Sequence, residues 1–114
     1  MAQLPNQPTL ADFQAYIQAT CEERGWDKRT SLEKMLFLTE EVGELAKAVR
    51  KEYGQYGYDK PADISHLAEE LVDVFNYLLD LANVYDVDLE AAFRSKWQTN
   101  QGRSWTGDYG KTAK

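Results

Sequence analysis

Two short acidic stretches carry the chemistry open to this chain. Glu40-Glu41-Val42-Gly43-Glu44 and Glu69-Glu70-Leu71-Val72-Asp73 each place a carboxylate pair and a third carboxylate one turn later. At about 100° per residue, positions i, i+1 and i+4 of a helix share an arc of about 100°. Each stretch therefore puts three like charges on one stripe. Two such stripes facing each other repel strongly unless a polyvalent cation lies between them. Glu41 and Glu44 form one i,i+3 pair, and Glu70 and Asp73 form the other. From two facing helices these four carboxylates make an oxygen-only pocket of the kind that suits Mg²⁺, with Mn²⁺ as the alternative, its shell completed by water and substrate phosphates. One histidine, His66, and one cysteine, Cys21, are too few for a usual zinc site. The Glu-x-x-His pair of a di-iron bundle is missing. One acidic stretch alone is most often a solvated face. Two with the same internal spacing, each flanked by core-type residues, favour a metal site, because carboxylates beside a core are costly unless paired or metal-bound.

Helices must position these groups. Thr9 can cap a first helix from Leu10 to about Arg24, stopped by Gly25, with Leu10, Phe13, Tyr16, Ile17 and Cys21 on its apolar side. Thr30-Ser31-Leu32-Glu33 is a capping-box pattern. It opens a second helix whose buried stripe is expected to be Leu32, Met35, Leu36, Val42, Leu45, Ala46 and Val49, ending near Tyr53 before Gly54. Gly43 within it costs up to ~1 kcal/mol relative to Ala, which suggests close approach of a helix or ligand, or simply a tolerated weak spot. Residues 54–62 read as a turn-rich loop, after which Asp63 or Ser65 starts a third helix to about Val84. Its core face is expected at Ile64, Leu67, Leu71, Val74, Phe75, Leu78 and Ala82. Asp88 caps a fourth helix to about Gln101 that carries Ala92, Phe93 and Trp97. Strand-like alternation is absent. The expected fold is a single all-α domain over 1–114, a bundle of about four helices with an ordered core from 9 to 105 and a flexible tail at 107–114. The two long middle helices pack antiparallel and bring the acidic stripes together.

Composition narrows the partners. A net charge of −6 over 114 residues argues against nucleic acid or an anionic membrane, both of which want a basic footprint. A single cysteine forms no internal disulfide, and with no signal-like start a cytoplasmic setting is expected. No apolar run approaches the ~20 residues that span a bilayer. Lys96, Asn100 and Arg103 recur at i, i+4 and i+7 along one face of the fourth helix and its end. They read either as a phosphate clamp or as a solvated basic face.

Glu-Glu-Val-Gly-Glu-Leu followed, after a spacer, by Glu-Glu-Leu-Val-Asp-Val is similar to the signature of the MazG-like all-α nucleotide pyrophosphohydrolases. The resemblance extends over about residues 10–105. It implies that Glu41, Glu44, Glu70 and Asp73 are Mg²⁺ ligands, and that Glu40 lies near the metal or the attacking water. The implied reaction is hydrolysis of a (deoxy)nucleoside triphosphate to the monophosphate and pyrophosphate, as house-cleaning of the nucleotide pool. A carboxylate outside the metal's ligands would accept the water's proton, and Glu40 and Glu69 both fit by position. Lys96-x-x-x-Asn100-x-x-Arg103 looks like the C-terminal motif of the dCTP pyrophosphatase-like branch, with Ser104-Trp105 standing where those relatives commonly continue Tyr-Pro. By the same resemblance Trp26 would stack on the base and Tyr77 would line the nucleotide pocket; packing is the plain alternative for both. Asn76 reads as an interhelical polar residue, His66 as structural or surface, and Lys47, Arg50 and Lys51 as a solvent face. A homodimer or homotetramer is expected. Other readings are a phosphoribosyl-ATP pyrophosphohydrolase, a dimeric dUTPase, or a non-catalytic helical regulator that binds nucleotides or a protein.

Overall fold

The computed structural model describes residues 2–56, 64–102, 105–106 and 112–113, with side chains for 2–51 and 65–102. Four helices follow in order, α1 (Leu10–Arg24), α2 (Ser31–Tyr56), α3 (Ile64–Val84) and α4 (Leu89–Gln101), with a 3₁₀ turn at Trp26–Lys28 between the first two. The expected all-α bundle is what the chain forms. Beyond α4, Trp105–Thr106 (β1) pairs antiparallel with Thr112–Ala113 (β2), a two-residue ladder that the sequence patterning does not predict. The remaining tail residues, the Asp63 cap and the 57–62 loop lie outside the described residues.

The helix ends follow local chemistry. Thr9 and Asp12 cap α1 reciprocally, with Thr9 N–H donating to Asp12 Oδ2 at 2.8 Å and Asp12 N–H donating to Thr9 Oγ1 at 3.2 Å. Gly25 closes α1 at φ +75°, a left-handed turn that glycine adopts without strain. Thr30 and Glu33 form the expected capping box of α2, and Asp88 caps α4 through Ala91 N–H. The second helix runs on to Tyr56 rather than stopping before Gly54. One glycine costs a helix only about 1 kcal/mol, so Gly54 does not by itself end it.

The main packing is α2 against α3, with α1 on α3 and α4 chiefly on α1. Lys34 meets Asp80, Phe37 stacks on Tyr77, and Glu41 meets Asp73. Ascending numbers on α2 meet descending numbers on α3, which fixes the pair as antiparallel. Gln14 ties α1 to the end of α3 and the start of α4: its Nε2 donates to Val87 O at 2.8 Å and to Asn83 Oδ1 at 3.2 Å, and its Oε1 accepts from Leu89 N–H at 3.1 Å. A buried amide so fully bonded holds α1 to the α3–α4 corner without an unpaired polar atom.

The buried stripe of α2 is not the expected one. Leu38 and Ala48 are buried, with Lys34 beside them, whereas Leu32, Met35, Leu36, Val42 and Val49 are exposed, Leu36 at 60%. The helix carries two apolar faces, and its periodicity does not say which one the rest of this chain covers. On the third helix Ala82 is buried as expected, but Leu71 and Leu78 face outward and Leu79, outside the expected face, is fully buried. Gly43 lies on the open side of α2, with nothing within 4 Å of a Cβ placed there, so no part of the described chain approaches it closely.

Candidate active site

The antiparallel register of α2 and α3 brings Glu41, Glu70 and Asp73 together, one carboxylate oxygen from each lying within 4.8 Å of the others. Glu41 and Glu70 are half-buried and Asp73 is exposed. Glu70 Oε1 is 3.7 Å from His66 Nε2, one turn earlier on the exposed side of α3. Glu70 Oε2 is buried and has no hydrogen-bond partner among the described residues. An orphaned carboxylate oxygen costs on the order of 1–3 kcal/mol or more, which a ligand to it would recover. Partial burial pushes the Glu41 carboxyl above its ordinary value, and the charges of Asp73, Glu70, Glu44 and Glu40 push it further the same way. The cluster is thus an all-oxygen donor set short of positive charge. That is the donor chemistry of a hard divalent cation.

A cavity of about 410 Å³ opens from this cluster and is lined by α1, the 3₁₀ turn and α3. Glu41 and Asp73 form part of its wall, Trp26, Tyr77, Arg24 and Arg29 other parts, and the buried Asp80 and Cys21 also line it. The Arg24 and Arg29 guanidiniums lie 5.0 and 5.3 Å from the centre of the Trp26 ring, and Arg29 is also 4.7 Å from that of Phe37. Such contacts hold the tryptophan at the cavity's rim. Burial raises the Tyr77 phenol, against the opposing charge and hydrogen bond of Arg29. Burial also raises the Cys21 thiol, helped by the neighbouring Asp80 charge.

Of the residues singled out in the sequence, the structure therefore brings together Glu41, Glu70, Asp73, Trp26, Tyr77 and Asn76 around one cavity and its mouth. Glu44 is exposed on α2, outside the tight group of three, though its charge still acts on Glu41. Glu40 and Glu69 are exposed. Lys96 is exposed and Asn100 half-buried on α4, and neither lines this cavity. Arg103 lies outside the described residues. Sequence reasoning missed Arg24, Arg29, Lys34 and Asp80. The two arginines flank Trp26 closely enough to have been suspected, but Lys34 and Asp80 are joined only by packing.

Comparison with known proteins points the same way. Residues 29–104 match the MazG nucleotide pyrophosphohydrolase domain. The chain is 34% identical over 94 residues to the uncharacterized protein YvdC of Bacillus subtilis (strain 168), covering 75% of this chain and 87% of that one. It is 36% identical over 102 residues to dCTP pyrophosphatase 1 of Homo sapiens, covering 85% of this chain and 59% of that protein. It is also 33% identical over 99 residues to the dATP/dGTP diphosphohydrolase of Cyanophage S-2L, covering 85% of this chain and 78% of the phage protein.

Proposed function

The chain belongs to the MazG nucleotide pyrophosphohydrolase family, and from that premise we propose how its acidic site works on a nucleoside triphosphate. The protein is a nucleoside triphosphate pyrophosphohydrolase, which splits its substrate into monophosphate and pyrophosphate. The observation that carries the proposal is the meeting of Glu41, Glu70 and Asp73, with Glu41 and Asp73 lining a nucleotide-sized cavity. These three, with Glu44 swinging in from the next turn of α2, would hold Mg²⁺ or, in its place, Mn²⁺. When bound, the ion neutralises the triphosphate and makes a bound water more acidic. The chain's own residues do the rest. Glu40 and Glu69, outside the cluster, are the candidates to accept the water's proton. Trp26 and Tyr77 would hold the base by stacking, which every base tolerates. Lys96, Asn100 and Arg103 would clamp phosphates that extend beyond the cavity.

We read the chain as one catalytic domain with a house-cleaning role in the nucleotide pool, acting in the cytoplasm and not on nucleic acid or membrane. Among the described residues no helix is long and apolar enough to cross a membrane. The exposed apolar stripe of α2 favours a homodimer, or a homotetramer built from such dimers, because a second copy can bury the same stripe on both subunits. The test of the activity is pyrophosphate release from a panel of common and modified deoxynucleoside triphosphates with Mg²⁺. No release from any of them, or full activity in Glu41→Gln and Asp73→Asn, would overturn the proposal.

A further inference from the structure

The cavity wall holds a feature that hydrolysis does not require. Asp80 lines the cavity yet is only 8% exposed, and the buried ammonium of Lys34 donates to its Oδ1 at 2.8 Å. A buried ion pair is a poor way to fill a core, since well-packed apolar residues in its place are often neutral or better for stability. Asp73, Tyr77 and Asp80 follow one another along the cavity side of α3. At about 1.5 Å per residue, Asp80 stands about 10 Å along the axis from the acidic cluster. That span is comparable with a nucleoside measured from its 5′ oxygen to the outer edge of its base. A triphosphate held at Glu41 and Asp73 can therefore reach Asp80 with its base.

We propose that Asp80, held in place by Lys34, selects the base by accepting a hydrogen bond from an exocyclic amino group, so that the substrates are nucleotides of 4-amino pyrimidines and 6-amino purines. This rests on the pyrophosphohydrolase reading of the same site. An ionised carboxylate accepts hydrogen bonds and donates none, and its two oxygens offer about four lone-pair positions. Lys34 occupies one of them, and the buried Cys21 thiol lines the same cavity. The remaining acceptor capacity suits the N4 amino group of cytosine or the N6 amino group of adenine. The O4 of uracil or thymine would instead set an acceptor against a buried anion. The hydroxyls of Tyr16 and Thr20, which also line the cavity, both donate and accept. Trp26 and Tyr77 stack on any base, Asn76 offers both a donor and an acceptor, and Arg24 and Arg29 lie against Trp26.

The experiment measures kcat/KM of the full chain with Mg²⁺ for dCTP against dUTP, for dATP against dITP, and for the 2-pyrimidinone deoxynucleotide that lacks the 4-amino group. The amino-bearing member of each pair is expected to lead by about 10–100-fold, with the pyrimidinone falling to the level of dUTP. The double variant Lys34→Met/Asp80→Leu removes both charges, and Asp80→Asn replaces the carboxylate by an amide. In each the dCTP-to-dUTP ratio is expected to collapse toward one. The ratio does not depend on the fraction of folded enzyme, so a poorly folding variant still reports it. Pairs within threefold of each other in the unaltered protein, or a ratio that survives both variants, would overturn the role of Asp80 while leaving the pyrophosphohydrolase reading intact. No pyrophosphate from any nucleotide would overturn both.

Discussion

Two charged clusters sit on the same helix pair, about two turns apart, and the chain treats them oppositely. At one, Asp80 is buried against Lys34 at 2.8 Å, with its compensating cation supplied from within. At the other, Glu41, Glu70 and Asp73 crowd their oxygens within 4.8 Å, and among the described residues only His66, at 3.7 Å from Glu70, comes near as a basic group. Both lie between α2 and α3, so the difference is not one of scaffold. A carboxylate that brings its own cation needs no ion from outside, and its remaining lone pairs stay fixed in place for a neutral donor. A group of carboxylates that brings none has been left for something that arrives from outside.

The sharpest way to break this comparison is to take away the internal cation. Lys34→Met leaves Asp80 buried and unpaired, and the expected loss of stability is about 3–5 kcal/mol, read from urea unfolding at neutral pH. Adding Asp80→Leu should restore most of it. If Lys34→Met unfolds at the same urea concentration as the unaltered protein, the pair is not buried as described. At the acidic end the signs reverse. Glu41→Gln or Asp73→Asn removes a like charge, so the metal-free protein should become more stable, while pyrophosphate release falls by on the order of 10²–10³, the scale of losing one preorganised electrostatic group. A variant that lost both stability and activity would show that the cluster is held by contacts rather than strained by repulsion.

Ion binding sharpens the contrast further. A cation that binds only the folded protein stabilises it by about 2.7 kcal/mol at 100 times its dissociation constant. Mg²⁺ should therefore raise the melting temperature of the unaltered protein but not that of Asp73→Asn, and chelation should reverse the gain. A rise of equal size in both would place the ion elsewhere.

Much of this was legible in the residues themselves. Thr9, Gly25, the Thr30–Glu33 box and Asp88 mark helix ends through bonds spanning three or four residues, and local bonds can be read locally. The acidic motifs were readable because their spacing repeats and the antiparallel register follows from two long helices joined by a short connection. What stayed hidden is what depends on the third dimension. Leu36 and Leu38 are equally apolar, yet one is exposed and the other buried, because only packing decides which face of α2 turns inward. Lys34 and Asp80 are 46 residues apart, and a lysine in a helical run reads as surface until its partner is seen. Gln14 resembles any polar helix residue until its bonds to Val87, Asn83 and Leu89 are traced.

The smallest effect tests a third way of satisfying a carboxylate. Glu33 is ion-paired neither to a lysine nor within a carboxylate cluster; it accepts the backbone N–H of Thr30 at 3.0 Å and the Thr30 hydroxyl at 3.1 Å. The backbone hydrogen bond, then the hydroxyl, holds its carboxyl below the ordinary value. With the folded value below the unfolded one, the unfolded chain takes up the proton first as pH falls. The contribution of Glu33 is thus fully present above its unfolded value and is lost as pH drops through its folded value. Glu33→Gln can still accept the Thr30 N–H through its amide oxygen, but it does not titrate. The difference in stability between the two proteins should therefore be constant near neutral pH and shrink on acidification below the usual glutamate range. Urea midpoints across that interval, with chelator present to keep the acidic cluster metal-free, provide the measurement. A difference that stayed flat would mean that the capping bonds gain nothing from the charge of Glu33.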